Sequence, residues 1–204
     1  MNKIFITIIY FLLAIPLVAN GQTQQSLIGF QDIPWGSSVQ ALKVKFPQVK
    51  LYDACKNAVG ISEKSSKEGF EKLNMNCISY KIEKYSIDGI NFNLVFAFDV
   101  SNALNNVTVS KYVSGVDSVS MPECNNAFVK LNGLLSYKYG PGQQSSGDLY
   151  GFKALGFQNL DAKVWVLGQT QLYLSNASSN PKAPDLCWVN LSYGPSRQSN
   201  ASKL

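Results

Sequence analysis

The spacing of apolar positions changes along this chain, and each change predicts an element. From Ile4 to Ala19 the run is continuous, preceded by Lys3, broken by Pro16 and closed by the small residues Ala19 and Gly21. A charged start, an apolar middle and a small-residue exit predict a secretory signal peptide over 1–21, cleaved near Gly21. A membrane anchor is the competing reading, because the run approaches spanning length. Pro16 and the exit favour cleavage. "QTQQSLIG" (22–29) then reads as a polar lead-in.

In "IPWGSSVQALKVKFP" (33–47), Val39, Leu42 and Phe46 fall three and four apart, which is helical spacing. Ser37 or Ser38 can cap the first turn, and Pro47 cannot continue it. The expected element is a short helix with Trp35 packed beside it as an anchor; a ligand-stacking role for Trp35 is the sharper alternative. From Leu51 the period becomes two. "CISYKIEKY" (77–85) alternates Ile78, Tyr80 and Ile82 with polar neighbours. "INFNLVFAFD" (90–99) puts Ile90, Phe92, Leu94, Phe96 and Phe98 on one face. Asp88-Gly89 between them is a strong hairpin signal, and "LNNVTVSKYV" (104–113) extends the meander.

Helical spacing returns in "SMPECNNAFVKLNGLLSYKYGPG" (120–142). Ser120 and Glu123 match a capping box, with Pro122 in the first turn. Cys124, Phe128, Leu131 and Leu135 form a stripe flanked by Ala127 and Leu134, and Gly140-Pro141 is the stop. After a polar loop, "DLYGFKALGF" is an ambiguous strand. "AKVWVLGQTQLYLS" (162–175) reads as a hairpin around Gly168, and "LCWVNLSYG" (186–194) aligns Cys187, Val189, Leu191 and Tyr193. The fold class expected is α+β, with two consecutive helix-then-antiparallel-strand units (30–119 and 120–195) in one domain and a polar tail over 196–204. Neither unit could bury its sheet alone, so the two share a core.

The cysteine count and the missing histidine narrow the chemistry. Cys55, Cys77, Cys124 and Cys187 are even in number in a chain expected to be exported, which favours disulfides. Three pairings are possible. The favoured one joins Cys124 to Cys187, pinning the long helix to the last strand, and Cys55 to Cys77, closing the polar 56–76 excursion. The chain has no histidine and no Cys-x-x-Cys pair. The usual Cys/His zinc sites, histidine triads and imidazole acid–base catalysis therefore have no residues to work with. No metal and no cofactor are expected.

Gly142 and Gly147 have phosphate-loop spacing, but Asp148 replaces the lysine and would repel phosphate. Pro181 prevents the turn that would bring Lys182 onto Ser179. Asp88, Asp99 and Asp161 read as turn residues and Glu123 as a cap, which leaves few free carboxylates for a hydrolytic pair. The net charge of +5 is dispersed, as in "EKSSKEGFEK" (63–72), with no basic block for nucleic acid. Asn106, Asn176, Asn190 and Asn200 begin Asn-x-Ser/Thr triplets. In a eukaryotic secretory route these would accept glycans; the short Lys-led signal looks bacterial, which makes them polar loop residues. Tyr150, Phe152, Phe157, Trp165, Tyr173 and Trp188 crowd the second unit. A solvated sheet face leaves half of each strand's side chains outside the core, and Tyr and Trp there are common protein-recognition anchors. Tyr150, Phe152, Trp165, Tyr173 and Trp188 are the candidate binding residues, weighed against the reading that most complete the core.

The "IPWGSS…FP" start, the "L…YKYGPG" helix end and the closing "W…L…CWVNLSYG" strands resemble a group of small exported bacterial proteins with a WGSS-helix start. The helix-then-strands unit used twice is also similar to the β-lactamase-inhibitor-protein (BLIP-like) architecture and to small envelope-assembly lipoproteins, although the lipobox cysteine of the latter is missing. The likeness spans most of 30–195. It implies a non-enzymatic binder, in the periplasm or secreted, whose concave sheet face holds a protein partner, as an inhibitor, an immunity protein or an assembly factor. A small-ligand carrier would instead need a closed apolar cavity of roughly 300 Å³ or more. A carboxylate-dependent hydrolase would need two acids within about 10 Å in a cleft.

Overall fold

A computed structural model describes residues 28–57, 62–114, 120–145, 157–179 and 186–196. The chain begins with a hairpin of β1 (Gly29–Phe30) and β2 (Ile33–Pro34), followed by helix α1 (Val39–Lys45). Strand β3 (Lys50–Asp53), helix α2 (Glu63–Lys72) and strands β4 (Met75–Ile87), β5 (Ile90–Asp99) and β6 (Leu104–Ser114) come next. Helix α3 (Ser120–Tyr139) then leads into β7 (Gln143–Gln144), β8 (Phe157–Leu167), β9 (Thr170–Ser179) and β10 (Leu186–Pro195). Strands β3 to β10 form one eight-stranded sheet in the order β3-β4-β5-β6-β10-β9-β8-β7. Two helix-then-four-strand sets thus meet at their final strands, β6 against β10, antiparallel. Helices together with an antiparallel sheet make the protein α+β. Gly29, expected in a loose lead-in, is already paired with Pro34.

The opening motif forms the first piece of this fold. The Ser38 hydroxyl accepts from the Ala41 N–H at 3.4 Å and starts α1. Leu42 is fully buried, and the Phe46 ring lies 5.2 Å from Phe96. Gly36 and Leu104 lock the motif to β6, the Gly36 N–H donating to Leu104 O and the Leu104 N–H to Ser37 O, both at 2.9 Å. Trp35 is partly buried against the core, and its indole N–H donates to Thr170 Oγ1 at 2.9 Å.

Strand alternation builds the core on the helix side. One row crosses seven strands from Leu51, exposed at the β3 edge, through Tyr80, Phe96, Val107, Tyr193, Leu172 and Trp165. Against it α3 lays Cys124, Ala127, Phe128, Leu131 and Leu135, all buried; Leu134, expected beside that stripe, is exposed. Truncating a fully buried ring such as Phe96 would cost about 3–5 kcal/mol. Two disulfides, Cys124–Cys187 and Cys55–Cys77, clamp this layer, and no described cysteine is free. The first joins α3 to β10 and the second joins the end of β3 to β4, as the residue faces suggested.

Several local expectations are corrected. Helix α3 begins at Ser120 itself, and the Glu123 carboxylate pairs with Lys111 Nζ of β6 at 2.7 Å. Asp161 lies within β8, where its carboxylate accepts from Gln144 Nε2 at 3.0 Å, so it is not a turn residue. Asn106, Asn176 and Asn190 sit in strands and not in loops. Ile78 is exposed because the β4–β5 register slips between Met75 and Ser79. The hairpin at Asp88-Gly89 forms with positive φ at both residues, 48° and 76°, the requirement of a type I′ turn. Most of "DLYGFKALGF", the tail from 197 and residues 1–27 lie outside the described residues.

Candidate functional site

Every second residue of the sheet points away from the helices, and these positions form the candidate surface. One row reads Asn93, Ser110, Asn190, Ser175 and Ala162 across β5, β6, β10, β9 and β8. Its neighbour reads Lys50, Lys81, Val95, Thr108, Ser192, Tyr173 and Val164. Tyr52, Ser79, Ala97 and Asn106 flank it on the first half, and Tyr112 pairs with Trp188 on the other side. No carboxylate occupies a paired position in these rows. The middle of the face is small hydroxyls and amides, of which Ser175, Asn190 and Ser192 are buried and Asn93, Asn106, Thr108 and Ser110 are partly exposed.

These side chains hold one another in place. Asn106 Nδ2 donates to Ser192 Oγ at 2.8 Å, and Thr108 Oγ1 donates to Asn106 Oδ1 at 2.9 Å. The rings of Tyr112 and Trp188 meet edge to face at 5.9 Å, an arrangement favoured by the ring quadrupoles. At the β3 rim Lys81 Nζ sits 5.3 Å from the Tyr52 ring and pairs with Glu83 at 3.2 Å. Burial and the neighbouring Asp53 carboxylate push the Tyr52 hydroxyl above its usual range. A groove of about 150 Å³ opens where the β4 bulge faces Asn91, Asn93, Ser110 and Tyr112.

The sequence-predicted anchors do not gather here. Trp165 is a core residue on the helix side; its indole N–H donates to Gly140 O at 2.8 Å. Its ring lies against Gly142, where an added Cβ would come within 2.5 Å of the indole, so glycine is required. Tyr173 belongs to the open face but is only 5% exposed, too enclosed to anchor a partner. Trp188 is half-buried and remains on the face, together with Tyr112, which the sequence reading passed over. Tyr112 sits in phase with Thr108 and Ser110 within "TVSKY", and that alternation is the signal that would have placed it there. Tyr150 and Phe152 lie outside the described residues.

The other chemistry is structural. Hydrogen bonds from the Ser101 hydroxyl and the Ala103 and Ser101 N–H groups hold the Asp99 carboxyl below its usual range, closing the β5–β6 turn. Asp88 pairs with Lys130 of α3 at 2.9 Å. Tyr193, between Phe30 and the phenols of Tyr85 and Tyr139, has its own phenol pushed up chiefly by desolvation. A concavity of about 520 Å³ runs along α2, lined by Glu63, Lys64, Lys67, Glu68 and Glu71; it is open and charged, and Glu63 is paired with Lys67 at 2.8 Å. Among the described residues no cluster of three or more metal-ligating side chains occurs, and no helix is long and apolar enough to cross a membrane.

No family model, curated protein or solved structure matches the chain.

Proposed function

We propose that this is an exported, non-enzymatic binding protein that holds a protein partner on the open sheet face and its adjoining loops. The observation that carries this reading is the composition of that face. Thr108 and Ser110, partly exposed, stand beside the Tyr112–Trp188 aromatic pair, and Asn106 is preset by hydrogen bonds with Thr108 and Ser192, while Ser192, Asn190 and Ser175 are themselves buried. Thr108, Ser110 and Tyr112 offer a partner hydrogen bonds and a ring contact, and Tyr and Trp are frequent anchors of interfaces. The paired disulfides fit an oxidising compartment, which supports cleavage near Gly21 and a periplasmic or secreted location. Inhibition, immunity or envelope assembly, the roles implied by the BLIP-like resemblance, are all compatible with a sheet that docks a partner.

Capture from envelope extract with the oxidised protein as bait tests the reading. A specific protein should be retained by the wild type and by Asn126→Arg on the outer face of α3. It should be lost by Thr108→Arg and Tyr112→Ala baits that keep the native circular dichroism spectrum. Retention of one and the same protein by all four baits, or of small molecules only, would overturn it.

A further inference from the structure

The two disulfides are unequal in access and in what they hold. Cys124 and Cys187 are both fully buried and tie α3 to the centre of the sheet. Cys55 is 1% exposed, but its partner Cys77 is half-buried at the start of β4, where solvent reaches it. The Cys55–Cys77 bond closes the excursion that carries α2. That helix sends no side chain into the shared core: its one buried residue is Ser66, whose hydroxyl has no hydrogen-bond partner. Beyond its packing against β4 its support is local, a Ser62 cap on the Ser65 N–H at 3.1 Å and the Glu63–Lys67 ion pair. A ten-residue helix is too short to be stable alone in water, and its apolar face is slight: Phe70 is only partly buried and Leu73 at its C-terminal end is exposed.

We propose that Cys55–Cys77 is a reducible latch whose opening releases the α2 excursion while the Cys124–Cys187 clamp and the sheet stay intact. The reductant is a dithiol, either a small molecule or an exported protein with a reactive cysteine pair. Its thiolate attacks Sγ of Cys77, the S–S bond breaks, and Cys55 leaves as a thiolate that takes up a proton. The donor's second thiolate then attacks the donor sulfur of the mixed disulfide and frees Cys77, which is protonated in turn. Two electrons and two protons have passed to the pair, and the donor leaves as a disulfide. The turn after β3 remains held by Asp53, whose carboxylate accepts from the Cys55 and Lys56 N–H groups.

The test is a native-state dithiothreitol titration of the oxidised protein, with alkylation of freed thiols read by peptide mass and hydrogen exchange read in parallel. Cys55 and Cys77 should be alkylated at least about 100-fold faster than Cys124 and Cys187, because only the latter pair requires core opening. Exchange should rise over 62–74 while β5, β6 and β10 stay protected. The Cys55→Ala/Cys77→Ala double variant should reproduce that exchange pattern; should it fail to fold, the latch is refuted, because the bond then supports the whole domain. Simultaneous alkylation of all four cysteines, or unchanged protection over 62–74 after selective reduction, would also overturn it.

Discussion

The Trp35 indole N–H donates to Thr170 Oγ1 at 2.9 Å across 135 residues of chain. It fastens the motif ahead of α1 to the β8–β9 hairpin at the far side of the sheet, and Thr170 is fully buried. Trp35→Phe keeps an aromatic ring but removes the donor. It should lower stability by about 1–2 kcal/mol, read as a fall in the urea midpoint with an unchanged slope.

Lys84 holds φ at 56° in the β4 bulge, a conformation that costs a side chain roughly 1–2 kcal/mol. The register slips between Ile82 and Tyr85, so the bulge re-aims Tyr85 and Ile87 toward the core. Lys84→Gly relieves that strain and should stabilise the protein by about 0.5–1 kcal/mol in denaturant unfolding, the entropy of the unfolded glycine offsetting part of the gain. Lys84→Val should destabilise it.

The Ser79 hydroxyl is buried in β4 between Tyr52 and Ala97 and has no hydrogen-bond partner. A buried hydroxyl without a partner carries a desolvation cost, so its removal is not destabilising. Ser79→Ala should leave the thermal midpoint unchanged or raise it. A marked fall would show that the hydroxyl has a partner in solution.

Asp99 has its native pKa lowered by the hydrogen bonds that close the β5–β6 turn. A carboxylate whose folded pKa lies below its unfolded value adds stability above that unfolded value, near 3.9, and loses it as pH falls through the folded pKa. Asp99→Ala should therefore be less stable than the wild type at pH 7, and the gap should narrow steadily below about pH 4. Paired denaturation curves across that range check the sign.

Much of the architecture was legible because single periods ran uninterrupted. Ile90 through Phe98 alternate without a break, and all five apolar positions are buried. Cys187, Val189, Leu191 and Tyr193 likewise share the helix-facing side of β10. The bulge in β4 left a trace that strict alternation passes over: apolar residues at 78, 80 and 82 resume at 85 and 87, a slip of one. Asp161 was misread because a lone aspartate between apolar runs looks like a turn, whereas the strand reaches past it. The open face was harder to see. Trp165 and Tyr173 are aromatic in either environment, and type alone does not say which face of the sheet a residue takes. Hydroxyl and amide rows also become visible only when five strands are set side by side, since each strand contributes one or two members.

Site-specific photo-crosslinking tests the central claim most directly. A photoreactive residue at Thr108, in the middle of the open face, should give a discrete adduct with one envelope protein. The same probe at Val129, exposed on the outer surface of α3, should give none. Adducts from Val129 alone, or an identical pattern from both positions, would contradict a partner-binding sheet face.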